Sequence, residues 1–417
     1  MKKLIFEAGL CILSFAVTQV AFGQTPITSD IKNIDTPLHA GLQLPPGFTA
    51  TMVTEGLQGA RHIAVNKQGG LYIKLSKLKD GKGIIYLKDK NGDGIFKEQM
   101  AFGDYPGTGI YIKNDYLYAS SNDDVYRYKL NNNGEVIHPD EPEKIIAGLV
   151  NRNRDNSKSI AVDDRGNIYV NVGSYLNACL VDPNSKQAPN PCPLLDSVGG
   201  IWQFKTDKMN QQYKDGVHYA TGFKNVVGLD WNSKTNSLFV MQHNRDQLRD
   251  LYPEYFTTEQ SNLVPAETMY QVRKGADGGW PYVYYDQYQH KKILSPEYGG
   301  DGKKEGVVKA QDPVVAFPAH LAPDGLLFYT GNMFPEKYKN GAFIAFHGKS
   351  PELQKGYLVA FVPFKNGKPS GEWEIFADNF TTGTNQHKPC GLAQAPDGSL
   401  YVSDDAKGTI YRIQYNK

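Results

Sequence analysis

Six times along this 417-residue chain one pattern recurs: a short apolar strand, a turn carrying Asp, Asn or Gly, then an aromatic or aliphatic strand ending in small or polar residues. It reads RHIAVNKQGGLYI at 61–73, GIYIKNDYLYA at 109–119, SIAVDDRGNIYV at 159–170 and VGLDWNSKTNSLFV at 227–240. A looser copy splits LLFYT at 326–330 from GAFIAF at 341–346, and a clean one, GLAQAPDGSLYV, closes the series at 391–402. Each copy predicts a β-hairpin with Gly or Asn at its turn. Most are followed by a third strand, such as GIIYL at 83–87 or GIWQF at 200–204. Such units cannot bury their faces alone, so they predict a closed ring: an all-β, six-bladed β-propeller with four-stranded antiparallel blades. A two-sheet sandwich does not account for a hairpin repeated six times. The stretch from Gly47 to Val53 is expected to supply the outer strand of the last blade. Residues 44–417 then form a single domain, preceded by an irregular segment at 24–43.

Composition agrees where it bears on this reading. The chain has 42 Gly and 24 Pro to make turns, beside 26 Tyr and 19 Phe, which favour strands. Basic and acidic residues number 45 and 44, with no long basic run, which argues against a nucleic-acid binder. At the start, Lys2 and Lys3 precede an apolar stretch from Leu10 to Phe22, and Ala21 and Gly23 stand where a signal peptidase reads small residues. This predicts a cleavable signal peptide over 1–23, a periplasmic or secreted protein, and no membrane span after cleavage. Export permits disulfides. Cys179 and Cys192 bracket a loop rich in Pro, Asn and Ser and are read as a small bridge. A metal site is the alternative, although neither C-x-x-C nor paired His accompanies them. Cys390 is left as a buried thiol.

In a propeller, residues just before each inner strand open onto one face, and long insertions between strands surround them. That selects Arg61 and His62, Asp155 and Asn156, Lys224 and Asn225, His320, and His387 and Lys388. The ends of second strands add His243, Asn244, Arg245, His347 and Lys349. A ring of Arg, Lys and His suits a small polyanionic ligand, because charge-assisted bonds to carboxylates are the strong ones. Asp89, Asn91 and Asp93 resemble the front of a calcium loop, but Met100 stands at the twelfth position, so an EF-hand is excluded. The readings left are weak calcium binding or a plain hairpin turn.

Taken in order, a further set of motifs resembles the pyrroloquinoline-quinone (PQQ)-dependent sugar dehydrogenases of the sorbosone and soluble glucose dehydrogenase type, which are six-bladed propellers. The motifs are LPPGF at 44–48, KSIAVD at 158–163, GNIYVNVG at 166–173, NAC at 177–179 and PCPLL at 191–195. GIWQF at 200–204, YATGFKN at 219–225, GWPY at 279–282, FYTGNMFP at 328–335, AFHG at 345–348 and SDD at 403–405 complete them. The resemblance implies PQQ held by its carboxylates on basic residues, a calcium ion, and a His that takes the proton of the sugar hydroxyl. It maps cofactor contacts onto Arg61, Lys224, Asn225, His243, His347 and Lys388. Lys224 and Lys388 stand where the family usually has Arg, keeping charge but losing the bidentate fork. The family's catalytic His falls on Asp155 or its neighbour Asn156. Trp280 is placed either to stack on sugar or quinone, or as a packed loop aromatic.

The expected function is therefore PQQ-dependent oxidation of an aldose or related sugar by hydride transfer. Because no haem-attachment C-x-x-C-H occurs, electrons are expected to leave to a separate acceptor, a cytochrome or quinone. The alternative is a non-catalytic propeller binding a carbohydrate or protein, motivated by the replaced His. A calcium-centred hydrolase would want carboxylates converging on the channel, whereas the sequence suggests a basic mouth.

Overall fold

Alternate side chains on each blade strand face two different neighbours, and this is what turns a repeated hairpin into a ring. Along Asn167–Val172, Ile168, Val170 and Val172 pack with Tyr118 and Ile145 on one side. Tyr169, between them, packs with Val226 and Trp231 on the other. Strands buried on both faces lose polar alternation and read as continuous apolar runs.

In this computed structural model, which describes residues 32–89, 94–96, 98–182, 184–382 and 385–416, six sheets of four core strands follow one another. Blade 1 comprises Ala60–Val65, Leu71–Lys79, Lys82–Lys88 and Glu98–Phe102. Blade 2 comprises Ile110–Lys113, Tyr116–Ser120, Val125–Lys129 and Glu143–Ala147. Blade 3 comprises Ile160–Val162, Asn167–Val172, Gly200–Lys205 and Val217–Thr221. Blade 4 comprises Asn225–Asn232, Ser237–His243, Glu267–Val272 and Val315–Phe317. Blade 5 comprises Pro323–Phe328, Ala342–Ser350, Lys355–Val362 and Glu374–Ala377. Blade 6 comprises Pro389–Gln394, Leu400–Asp404, Ile410–Tyr415 and, outermost, Phe48–Glu55. The inner strands pack in sequence, and that of blade 6 meets that of blade 1, so the ring closes.

As expected, the strand containing Gly47's successors completes the last blade: Phe48 pairs with Tyr415 and Thr54 with Ile410. Blades 2, 3 and 6 each gain a fifth strand beyond the expected four. In blade 6 it is Lys32–His39, paired with Phe48–Glu55, so the lead segment is not irregular throughout. The physical reason is that the outer strand would otherwise present an unpaired edge. The signal peptide expected at 1–23 lies outside the described residues. No described helix is long and apolar enough to cross a membrane.

The turns carry the repeat's chemistry. Gly69, Gly166 and Gly398 hold φ of 85°, 74° and 91°, a region side chains avoid. In the same turns Asn66, Asp163 and Asp397 accept backbone N–H bonds from residues two ahead, at 2.8–3.0 Å. Six apolar clusters fill the six gaps between blades. In the gap between blades 5 and 6, Phe48 meets Phe334, Tyr338 and Phe376 edge-on at 4.8–5.3 Å. A seventh cluster, with Leu248, Tyr252, Phe256 and Ile293, supports the insertion that rises from blade 4. The Cys179–Cys192 bridge forms, with Cα atoms 6.1 Å apart, and Cys390 is a buried free thiol.

Candidate active site

Antiparallel pairing sets the end of each second strand beside the start of its inner strand. Asn225 lies opposite His243, and Pro389 opposite Asp404. Pro323 lies opposite Phe346, next to His347. Strand starts and strand ends therefore make one rim.

At the junction of blades 5, 6 and 1, the rim is organised around Asp324, which is 3% exposed. Arg61 Nη1 donates to Asp405 Oδ2 at 2.8 Å and lies 2.8 Å from Asp324 Oδ2. His243 Nε2 lies 3.1 Å from Asp324 Oδ1, and His347 Nε2 lies 2.8 Å from Asp405 Oδ1. Burial alone would raise the Asp324 carboxyl, but Arg61, His347 and His243 outweigh it and hold the group well below the usual carboxylate range. Asp405 is likewise lowered, its burial overcome by His347 and Arg61. His62 differs. Burial and then Arg61 push it down to about 4 despite its bond to the Asp324 carbonyl at 2.8 Å, so it is neutral at neutral pH. The neutral ring donates that bond from Nε2.

At the junction of blades 3 and 4, Lys224 Nζ donates to Asp155 Oδ2 at 2.9 Å, with the lysine side chain 4% exposed. Asp155 holds φ +47°, and Arg154 Nε lies 3.9 Å from its carboxylate. Asn225 Oδ1 accepts from Asn171 Nδ2 at 3.0 Å. Asn156 turns elsewhere: its carbonyl and Oδ1 accept from Lys158 Nζ at 3.2 and 2.7 Å. Lys158 is 1% exposed and has no carboxylate ion pair among the described residues, so burial pushes its ammonium down to about 7. His320 bridges Asp246 at 3.2 Å and the Ser261 carbonyl at 3.0 Å.

The structure thus brings Arg61, Lys224, Asn225, His243, His347 and Lys388 to one rim, as the strand positions suggested. Lys388 is half-buried with Nζ 5.7 Å from the Tyr357 ring centroid, and Lys349 is exposed. The basic mouth suggested by the sequence is corrected, because Asp324, Asp405, Asp404, Asp246 and Asp155 neutralise much of it. Of these, Asp324 carried a legible signal: it opens the inner strand of blade 5 as Arg61 opens that of blade 1. Asp155 is engaged by Lys224 and is not a free base. Arg245 pairs with Glu297 at 2.5 Å inside the blade 4 insertion, away from the rim ligands.

Trp280 does not face a ligand. It is 2% exposed, donates Nε1–H to the Asn177 carbonyl at 3.2 Å and packs beside the disulfide, so the packed alternative holds. Asn91 and Asp93 lie outside the described residues. Asp89 Oδ2 accepts from the Gly94 backbone at 2.7 Å, as in a turn. Among the described residues, no group of three or more His, Cys, Asp or Glu side chains could hold a metal ion. Along the ring axis runs a cavity of about 370 Å³, lined by inner-strand residues including His62, Ile110, Ile160, Asp230, Leu326 and Leu392. There burial pushes the Asp230 carboxyl up to about 7.

Residues 42–288 and 301–416 match the TrAA12-like family model. An uncharacterised protein of Borreliella burgdorferi is 25% identical over 97% of this chain and 96% of its own length. A pyrroloquinoline quinone-dependent sugar dehydrogenase of Hypocrea jecorina is 22% identical over 88% of each chain. Among solved structures, the holo form of the pyranose dehydrogenase PQQ domain from Coprinopsis cinerea superposes with TM-score 0.72, at 18% identity, over 91% of this chain and 98% of that one. The calcium structure of the Trichoderma reesei carbohydrate-active enzyme of family AA12 gives TM-score 0.74 at 18% identity, over 92% and 99%.

Proposed function

The chain belongs to the TrAA12-like family of PQQ-dependent sugar dehydrogenases, and from that premise we propose that it oxidises an aldose or related sugar, with PQQ as oxidant, outside the cytoplasm. The observation that carries this reading is the convergence of Arg61, Lys224, Asn225, His243, His347 and Lys388 on one rim. The donor set fits a polycarboxylate ligand. Lys388 and Lys349 form no ion pair among the described residues, and Asn225 adds a neutral amide. Lys224 and Arg61 are already fixed by carboxylates, so they present oriented N–H groups rather than mobile charges. Bound PQQ would supply the two-electron acceptor for the hydride of the sugar carbon. The chain's own tasks are to hold that ligand, orient the sugar hydroxyl and remove its proton. Among the described residues the side chains assemble no calcium site. The Cys179–Cys192 bridge supports an oxidising compartment.

A second reading has an observation of its own. Where the family carries a catalytic His, Asp155 is tied to Lys224, which supports a propeller that binds a sugar without oxidising it. One experiment separates the two. The purified protein is titrated with PQQ, with and without Ca²⁺, following absorbance and thermal shift, and then assayed for aldose-dependent dye reduction. Dehydrogenase function predicts saturable PQQ uptake and turnover with at least one aldose. Uptake without turnover across a sugar panel leaves the binding reading, and no uptake overturns the cofactor assignment.

A further inference from the structure

We propose that the proton-accepting residue of this site is His387, oriented by Asp404, so that the base works from blade 6 rather than blade 3; this rests on the dehydrogenase reading above. Nδ1 of His387 lies 2.6 Å from Oδ2 of Asp404, which is fully buried. The other oxygen, Oδ1, accepts backbone N–H bonds from Lys388 at 2.8 Å and Ala406 at 2.9 Å. The carboxylate is thereby locked, and it locks the imidazole with its proton on Nδ1. The lone pair of Nε2 then points away from Asp404, and Nε2 has no hydrogen-bond partner among the described residues. A base held by a carboxylate with its second nitrogen free is the arrangement that general-base catalysis requires.

Three of the other rim imidazoles lack it. His320 uses both nitrogens, on Asp246 and the Ser261 carbonyl. His347 is held between Asp405 and Asp324. His62 binds the Asp324 carbonyl through Nε2. His243 comes nearest to it, with Nε2 3.1 Å from Asp324 Oδ1, but that carboxylate is shared with Arg61 and His347. Position also favours His387. It directly precedes Lys388, a proposed cofactor contact, and Asp404 is the neighbour of Asp405, which binds Arg61 and His347. Its side chain is 17% exposed, enough to be reached, and the Tyr411 ring backs it at 5.9 Å.

The step balances. The sugar O–H breaks and its proton goes to Nε2, while bound PQQ would supply the acceptor for the hydride of the breaking C–H bond. The sugar carbon becomes a carbonyl, oxidised by two electrons, and His387 later returns its proton to solvent or to the reduced acceptor. Asp404 and the Tyr411 ring face His387, while Lys388 and Lys407 direct backbone N–H groups at the Asp404 carboxylate.

The test compares wild type, His387→Gln and Asp404→Asn, each loaded with PQQ. His387→Gln is expected to lower kcat by about 10²–10⁴-fold, with KM and PQQ affinity within about threefold, and to abolish the acid limb of the pH–rate profile. Asp404→Asn should lose less and shift that limb. Independently of turnover, ¹⁵N NMR of the imidazole should show the Nδ1–H tautomer in wild type and a mixture in Asp404→Asn. Retained kcat in a folded His387→Gln variant, or equal loss of PQQ binding and kcat, overturns the base assignment while the dehydrogenase reading stands. A wild type without turnover sinks that reading and the base with it. An Nε2–H tautomer in wild type overturns the dyad by itself.

Discussion

Two corners of the same rim treat buried charge in opposite ways. Around Asp324, at blades 5, 6 and 1, Arg61, His243 and His347 each face a carboxylate; Arg61 is raised and Asp324 and Asp405 are lowered, so the charges of these last three groups persist across the working pH range. At blades 3 and 4, Lys224 has such a partner in Asp155, but Lys158 nearby has only the carbonyl and amide oxygens of Asn156. Burial then decides, and Lys158 titrates at about 7. A carboxylate within hydrogen-bonding distance fixes a charge, whereas neutral acceptors leave it adjustable.

The largest effect should come from breaking the fixed corner. Asp324→Ala removes the carboxylate facing His243 and one of the two facing Arg61 and His347, and should destabilise the fold by about 3–5 kcal/mol in urea unfolding. A loss below 1 kcal/mol would mean the network is wetter than its burial indicates. Asp155→Ala removes a less buried acid, 19% exposed, and should cost about 1–3 kcal/mol, with PQQ affinity falling as Lys224 loses its orientation. Equal losses from the two variants would erase the contrast between the corners. Lys388→Ala, which removes a cation with no ion pair among the described residues, should raise the PQQ dissociation constant about tenfold, with unfolding free energy nearly unchanged. Calorimetric titration beside denaturation reads both quantities.

The smallest effect sharpens the adjustable corner. The folded pKa of Lys158 lies below its unfolded value, so the unfolded chain binds more protons between about pH 7 and 10.5. Stability from this residue therefore rises with pH through that window, by at most about 1.4 kcal/mol per unit, and its burial penalty is complete below it. In Lys158→Met the difference from wild type should shrink as pH increases. A difference independent of pH would show that Lys158 is charged when folded.

Much of the ring was legible because its signals are local. Tip residues such as Gly69, Gly166 and Gly398, with Asx acceptors in the same turns, announce each hairpin wherever it packs. The bridge between Cys179 and Cys192 was legible for the same reason, being only thirteen residues across. The rim cations were found because strand starts and ends recur with the repeat. Asp155 was found in the same way, but the roles of Asp404 and Asp405 were missed because an Asp at a strand end looks like any turn residue. Trp280 showed an aromatic in a loop, and nothing local told a buried ring from a stacking platform. The fifth strands, including Lys32–His39, escaped because an edge pairs with whatever the fold brings to it.

By itself, then, the sequence determined six hairpins, their closure into a ring and the face on which polar groups gather, since these follow from periodicity and turn chemistry within a few residues. The tertiary structure alone decided which charge meets which. Arg61 finds Asp405 344 positions away, Lys224 finds Asp155 69 away, and Lys158 is left with Asn156. Coulombic and desolvation energies depend on distance and burial, and both are set only when the blades pack against one another.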